Sequence, residues 1–326
     1  MIWLRIFKNN RAGGVFGVII LAMALFLISF IRPEEPVDFP GMPFYSLIFG
    51  AIHTVPVLNR IITLFLMLII CLMLVRISFR YMLLEHRSYM PAFFFLLFSA
   101  ALPSSHQVSP ELVGSIFYIF CFAMIFGVRE KKPDTFLIFN ASLVLALGSM
   151  FYLKLVWFIP LIWISLGTLR SVTLREMFYP VIAFMILGLF LFTWYWVVLE
   201  DLERLSELLR DNLDFHNSFR PYHFSVYLYY GFFLLLVLIA SIYMANRFLS
   251  RKTAIQNIYQ VMFYMFIAGG LFIIFIVRWS PTALVYIAFP ISFLMADYFH
   301  RRRNPWMHEL NMWILLGLLV YAQWMV

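Results

Sequence analysis

Apolar runs recur along this chain between short charged or Pro/Gly-containing breaks, at about 13–31, 57–76, 89–104, 110–128, 135–151, 152–169, 177–198, 223–246, 257–277, 281–299 and 309–325. A helix needs about 20 apolar residues to cross a hydrocarbon layer about 30 Å thick. The pattern therefore predicts an all-α, polytopic transmembrane bundle of about 11 spans. The range is ten to twelve, because the close pair meeting at Tyr152–Lys154 also reads as a re-entrant hairpin. No repeat and no extramembranous domain stand out, so residues 1–326 read as a single integral membrane domain.

Two polar stretches break the pattern. The first, Arg32 to Arg60, reads RPEEPVDFPGMPFYSLIFGAIHTVPVLNR. Pro33, Pro36 and Pro40 prevent the first span from continuing, since proline lacks the backbone donor and disfavours helix in the residue before it. From Met42 to Ile52 the chain is apolar but too short to span, so 32–56 reads as an outside loop with a helix lying in the interface. The second, Leu199 to His223, places Leu199, Leu202, Leu205, Leu208, Leu209 and Leu213 at helical spacing with charges between them. Residues 199–222 are thus an amphipathic segment along the outer surface, either a solvated connector or a lid over a cavity.

Composition agrees with this reading. With 64% hydrophobic residues, 12% charged and a mean hydropathy of +0.91, the chain is far from a soluble globule. The first run, Gly13 to Ile31, has no small-residue cleavage site after it, which predicts a retained anchor. Cys71 and Cys121 fall inside expected spans and read as small buried hydrophobes. Seventeen of the 24 lysines and arginines lie in alternate loops if the N-terminus is cytoplasmic. This is the positive-inside pattern, and it explains the net charge of +8 without a nucleic-acid partner. Multi-pass residence in a plasma membrane, of the bacterial inner-membrane kind, follows, with membrane lipids as the first partners.

Polar chemistry collects outside. Glu34, Glu35, Asp38, His53, Arg60, His106, Glu111, Lys154, His216, Arg220, His223 and Arg278 come from at least five loops, which one cavity could gather. Arg278, ahead of Pro281 and Pro290, suits a phosphate through its planar fork, though a residue there can also snorkel to the headgroups. Lys154 has the same two readings. Asp297, four residues before Arg301, reads as a helix-surface ion pair. No histidine spacing makes a metal site, so no cofactor is expected; a divalent metal would have to rest on carboxylates, without further support. Nucleotide-binding and GxSxG patterns are absent from the sequence.

The order of parts resembles the GT-C superfamily, membrane glycosyltransferases that use polyprenyl-phosphate-linked sugars. The shared features are a cytoplasmic N-terminus, an acidic outside loop with an interfacial helix, a run of hairpins and an outside segment after the seventh span. SPELVGSIFYIFCFAMIFGVRE followed by ALGSMFYLKLVWFIPLIW is similar to that family's mid-chain hairpins. RWSPTALVYIAFPISFLMADYF is similar to its late helix, where an arginine precedes prolines. The EEPVD loop is shorter than the family's usual acidic motif, a second acidic motif is not matched, and the usual soluble C-terminal domain is absent. The resemblance implies transfer of a sugar or similar group from a polyprenyl-phosphate carrier at the extracytoplasmic face. Asp38 or Glu35, with Glu34 beside them, would act as base on an acceptor hydroxyl. Arg278, with Lys154 or Arg60, would hold the carrier phosphate, and His106 and Arg220 complete the candidate substrate-binding set. The alternatives are a non-catalytic subunit or scaffold of an envelope complex, with envelope proteins as partners, and a transporter or lipid flippase.

Overall fold

The computed structural model describes residues 7, 12–31, 41–129, 135–213, 222–247, 252–277, 280–300 and 305–325. All regular structure among them is helical. The α-helices are α1 Ala12–Ile31, α2 Pro43–Phe49, α3 Pro56–Tyr81, α4 Met90–Ser99, α5 Pro110–Ile125, α6 Thr135–Ser149, α7 Ile159–Leu169, α8 Leu174–Thr193, α9 Leu202–Leu213, α10 Phe224–Arg247, α11 Thr253–Leu271, α12 Leu284–His300 and α13 Pro305–Met325. Proline opens many of them. At the first helical position it forfeits only a donor that has no intrahelical partner, and its fixed φ suits the turn.

Seven helices are long and apolar enough to cross a membrane: Gly13–Ile31, Pro56–Tyr81, Pro110–Val128, Leu174–Val198, Phe224–Asn246, Ile255–Val277 and Pro281–His300. Three other expected spans appear as shorter apolar helices, Met90–Ser99, Phe136–Ser149 and Leu153–Leu169. The last expected span is α13, 21 residues long, with His308, Glu309, Asn311 and Gln323 among its apolar residues. The short helix expected within 42–52 forms as α2 and continues into a 3-10 turn at Gly50–Thr54. The amphipathic segment forms as α9, which buries Leu205 and Asn212 and exposes Leu202 and Leu213.

At the centre α4 packs along α12. All ten residues of α4 are buried, and α12 buries all but three of its own. The other helices enclose this pair: α1 and α3 against α4, α10 and α11 against α12, with α5 touching both α3 and α12. The outer helices leave apolar side chains such as Phe16, Phe65, Leu189 and Leu238 exposed, as a lipid-facing ring requires.

The short α4 sets the geometry of one end. Ten residues at 1.5 Å each reach only ~15 Å, about half the hydrocarbon layer, so its last carbonyls and the irregular chain beyond must be satisfied by protein. Tyrosines on α10 do this: the Tyr229 hydroxyl donates to the Leu97 carbonyl, and Tyr230 donates to Phe98 at 3.3 Å. His106 adds a bond to the Ala100 carbonyl at 3.0 Å. The connection from Ala100 to Ser109 can therefore stay irregular and almost wholly buried.

Candidate functional site

The buried connection between α4 and α5 collects polar side chains from several elements. A 3-10 turn at Pro103–Ser105, closed by the Ser105 hydroxyl on the Leu102 carbonyl at 2.7 Å, turns the chain back. Ser109 then caps α5, its side-chain oxygen accepting from the Leu112 amide at 3.2 Å, and Pro110 takes the first helical position. Glu111 follows in the first turn, where the helix dipole favours a negative charge.

Glu111 is the chemically unusual residue. It is 9% exposed, and among the described residues its Oε2 has no hydrogen-bond partner. The Ser109 and Thr282 hydroxyls and the Lys154 ammonium all act on its carboxyl group. Above it the Tyr286 hydroxyl donates to the Glu111 backbone carbonyl at 3.0 Å, and the Tyr152 ring lies nearly parallel to Tyr286 with centroids 6.3 Å apart. The hydroxyls of Tyr152 and Tyr118 are buried and, among the described residues, without partners. A phenol is protonated at neutral pH, so Tyr152 is a buried donor. Gly114, one turn after Glu111, makes room for this arrangement. A Cβ there would lie 2.9 Å from the Tyr286 hydroxyl and 3.1 Å from the Tyr152 Cβ.

The other half of the connection is anchored on α1 and α3. Val108 donates its amide to Asn59 Oδ1 at 2.7 Å and accepts from the Tyr45 hydroxyl at 2.8 Å. His106 is fully buried, stacked on Phe26 with centroids 3.9 Å apart. Its Nε2–H donates to the Ala100 carbonyl, which leaves Nδ1 to accept from the Ser29 hydroxyl at 2.5 Å. Both nitrogens are engaged and the ring is neutral. Burial lowers its pKa to about 4; the Ala100 bond opposes that shift and the charge on Arg60 adds to it. Arg60, 5% exposed, lies in the first turns of α3 next to Asn59.

Among the sequence candidates, the structure thus brings Lys154, Arg60 and His106 to this end of the bundle. Glu34, Glu35, Asp38, Arg220 and Arg278 lie outside the described residues. Their flanking segments do not: α1, which leads into the acidic stretch, and Pro281–Ala283, which follows Arg278, both pack on the Pro103–Ser105 turn. Glu111 stood in the sequence as one outside acid among many, and Tyr152, Tyr286 and Thr282 were not singled out. The capping pattern SPEL was the one local signal that marked the first of these. Among the described residues no group of three His, Cys, Asp or Glu side chains could hold a metal ion.

Fold and site together define a helical membrane protein with a buried polar centre at one end of its bundle. No protein-family model matches the chain, and no curated protein or solved structure is significantly similar to it.

Proposed function

We propose that the protein is a GT-C-like membrane glycosyltransferase of the plasma membrane, with about 11 spans and a cytoplasmic N-terminus. It moves a sugar or similar group from a polyprenyl-phosphate carrier at the extracytoplasmic face. The observation that carries this reading is the meeting of a buried carboxyl group, a lysine and two tyrosine hydroxyls, with one carboxyl oxygen and both hydroxyls unpaired among the described residues, at the end where the acidic loop and Arg278 attach. Buried polar atoms without partners are uncommon in folded proteins and are among the marks of a site that awaits a ligand. Sugar hydroxyls would supply the missing partners.

In this reading Lys154 and Arg278 hold the carrier phosphate and stabilise the charge that develops as its bond to the sugar breaks. Asp38 or Glu35 takes the proton of the acceptor hydroxyl as it attacks. Glu111 Oε2 and the Tyr152 hydroxyl hold the sugar and orient it. The short helix α4, followed by irregular chain, is then a half-span that leaves room for a substrate at membrane depth.

The test replaces Glu111 by Gln, Lys154 by Met, Asp38 by Asn and Arg278 by Gln one at a time in the full chain, in its own membrane. Glycoconjugates and protein level are both scored. The proposal expects glycan loss at normal protein level. Normal glycans in all four variants, with loss only on deletion of the whole protein, would replace it by the scaffold reading. Normal glycans on deletion as well would leave transport as the alternative.

A further inference from the structure

The opposite end of α3 carries a second site, independent of the reading above. A cavity of about 460 Å³ opens there between α3, α5 and α6, lined by Met73, Arg76, Arg80, Tyr81, Gly127 and their apolar neighbours. Arg76 and Arg80 are one helical turn apart, so both heads reach the same mouth. Both side chains are exposed, and among the described residues Arg76 has no carboxylate partner. Below them the wall is apolar: Met73 lies one turn deeper than Arg76, opposite Phe120, which is 48% exposed on the lipid-facing side of α5.

The mouth is also held in shape. The Tyr81 hydroxyl donates to the Ala123 carbonyl at 2.8 Å, which ties α3 to α5, and the Arg80 guanidinium lies over the Tyr81 ring at 5.5 Å. Gly127 faces this pair. A Cβ there would come within 3.2 Å of the Tyr81 hydroxyl and 3.9 Å of an Arg80 nitrogen.

We propose that this cavity binds a phosphoryl group between Arg76 and Arg80, carried by an anionic phospholipid whose acyl chain lies along Met73 and Phe120. Two guanidinium groups match phosphate oxygens in number and planarity. An apolar wall directly beneath them suits an amphiphile better than a free ion, and basic pockets between transmembrane helices are a recurring form of headgroup site. Under the orientation given by the positive residues this is the cytoplasmic leaflet, where anionic lipid is enriched.

The full chain, purified and delipidated in a neutral detergent, is titrated with phosphatidylglycerol, with phosphatidylcholine and with inorganic phosphate. Binding is read by native mass spectrometry and by the thermal unfolding midpoint. Phosphatidylglycerol is expected to bind and stabilise, phosphatidylcholine to do so weakly, and R76Q/R80Q to weaken phosphatidylglycerol binding by about thirtyfold. Protection by inorganic phosphate alone, lost in the same variant, would keep the phosphoryl site and assign it to a free anion. R175Q removes an exposed arginine elsewhere and serves as control for general charge. Equal phosphatidylglycerol binding by wild type and R76Q/R80Q, or an equal loss in R175Q, would overturn the proposal. Should the double variant fail to fold, single R76Q, whose side chain is exposed, carries the same comparison at smaller amplitude.

Discussion

Arg60 and Arg80 lie on one helix, separated by ~30 Å at 1.5 Å per residue, which is the thickness of the hydrocarbon layer. Arg60 is 5% exposed, lies next to Asn59, and its charge acts on the buried His106. Arg80 is exposed at the mouth of an open cavity. At the first end irregular backbone has been drawn inside the protein, and every polar group there must find a protein or ligand partner. At the second, the Arg76 and Arg80 side chains are exposed and the helix ends are tied by the Tyr81–Ala123 bond. Buried charge costs several kcal/mol per ion unless it is paired; a surface arginine costs almost nothing. On the readings proposed above, the Arg60 end serves the transfer site and the Arg80 end the phosphoryl site.

This contrast breaks most sharply at Glu111. Replacement by Gln removes the ionisable carboxyl group and keeps the shape. Product formation is expected to fall by about a hundredfold or more, the scale of losing a positioned catalytic or orienting group. Membrane assays of glycan transfer at matched protein level check it. An unchanged rate would reduce the centre to architecture.

Next in size is the pH response of His106. In the unfolded chain the ring titrates near 6.5, and in the fold at about 4. Between those values the unfolded state binds more protons, so stability is full above pH 6.5 and falls as pH drops toward 4, by about 3 kcal/mol in all. Thermal unfolding in detergent across that window measures the slope. H106Q, which keeps a donor for the Ala100 carbonyl, is expected to flatten it.

A smaller effect is expected at Gly114, where alanine would press a methyl group against the Tyr286 hydroxyl and the Tyr152 Cβ. Overpacking of this kind costs about 1–3 kcal/mol, and the midpoint of thermal unfolding reports it. Smallest of all is Arg76→Gln at the other end, expected to change stability by less than about 0.5 kcal/mol in the absence of lipid. A large loss there would erase the difference between the two ends.

How legible this molecule was in its sequence depended on how local the cause was. The run Gly13–Ile31 recurs unchanged as a helix, because length and unbroken apolarity suffice to make one. The leucine spacing in 199–222 likewise forms α9. By contrast the run 89–104 looks like any other apolar stretch, yet its helix stops at Ser99. Pro103 disfavours a longer helix locally, but what satisfies the freed carbonyls is remote: the Tyr229 and Tyr230 hydroxyls, 132 residues along the chain, donate to Leu97 and Phe98. Glu111 is similar. Its capping sequence was readable, but its burial is made by Tyr286, 175 residues away, and by a lysine at a hairpin tip. His106 could be named as an ionisable group outside the spans, while its neutral tautomer is fixed by Ser29 and Ala100, one of them 77 residues distant. Pairings of this kind leave no periodic trace.

The half-length α4 bears on how the protein is made. A segment of ten apolar residues is too brief to be released into lipid alone as it leaves the ribosome, and its end stays chemically incomplete until α10 has been synthesised. Its closest companion, α12, emerges later still. The central helix pair is thus complete only once α12 has been made, long after α4 itself.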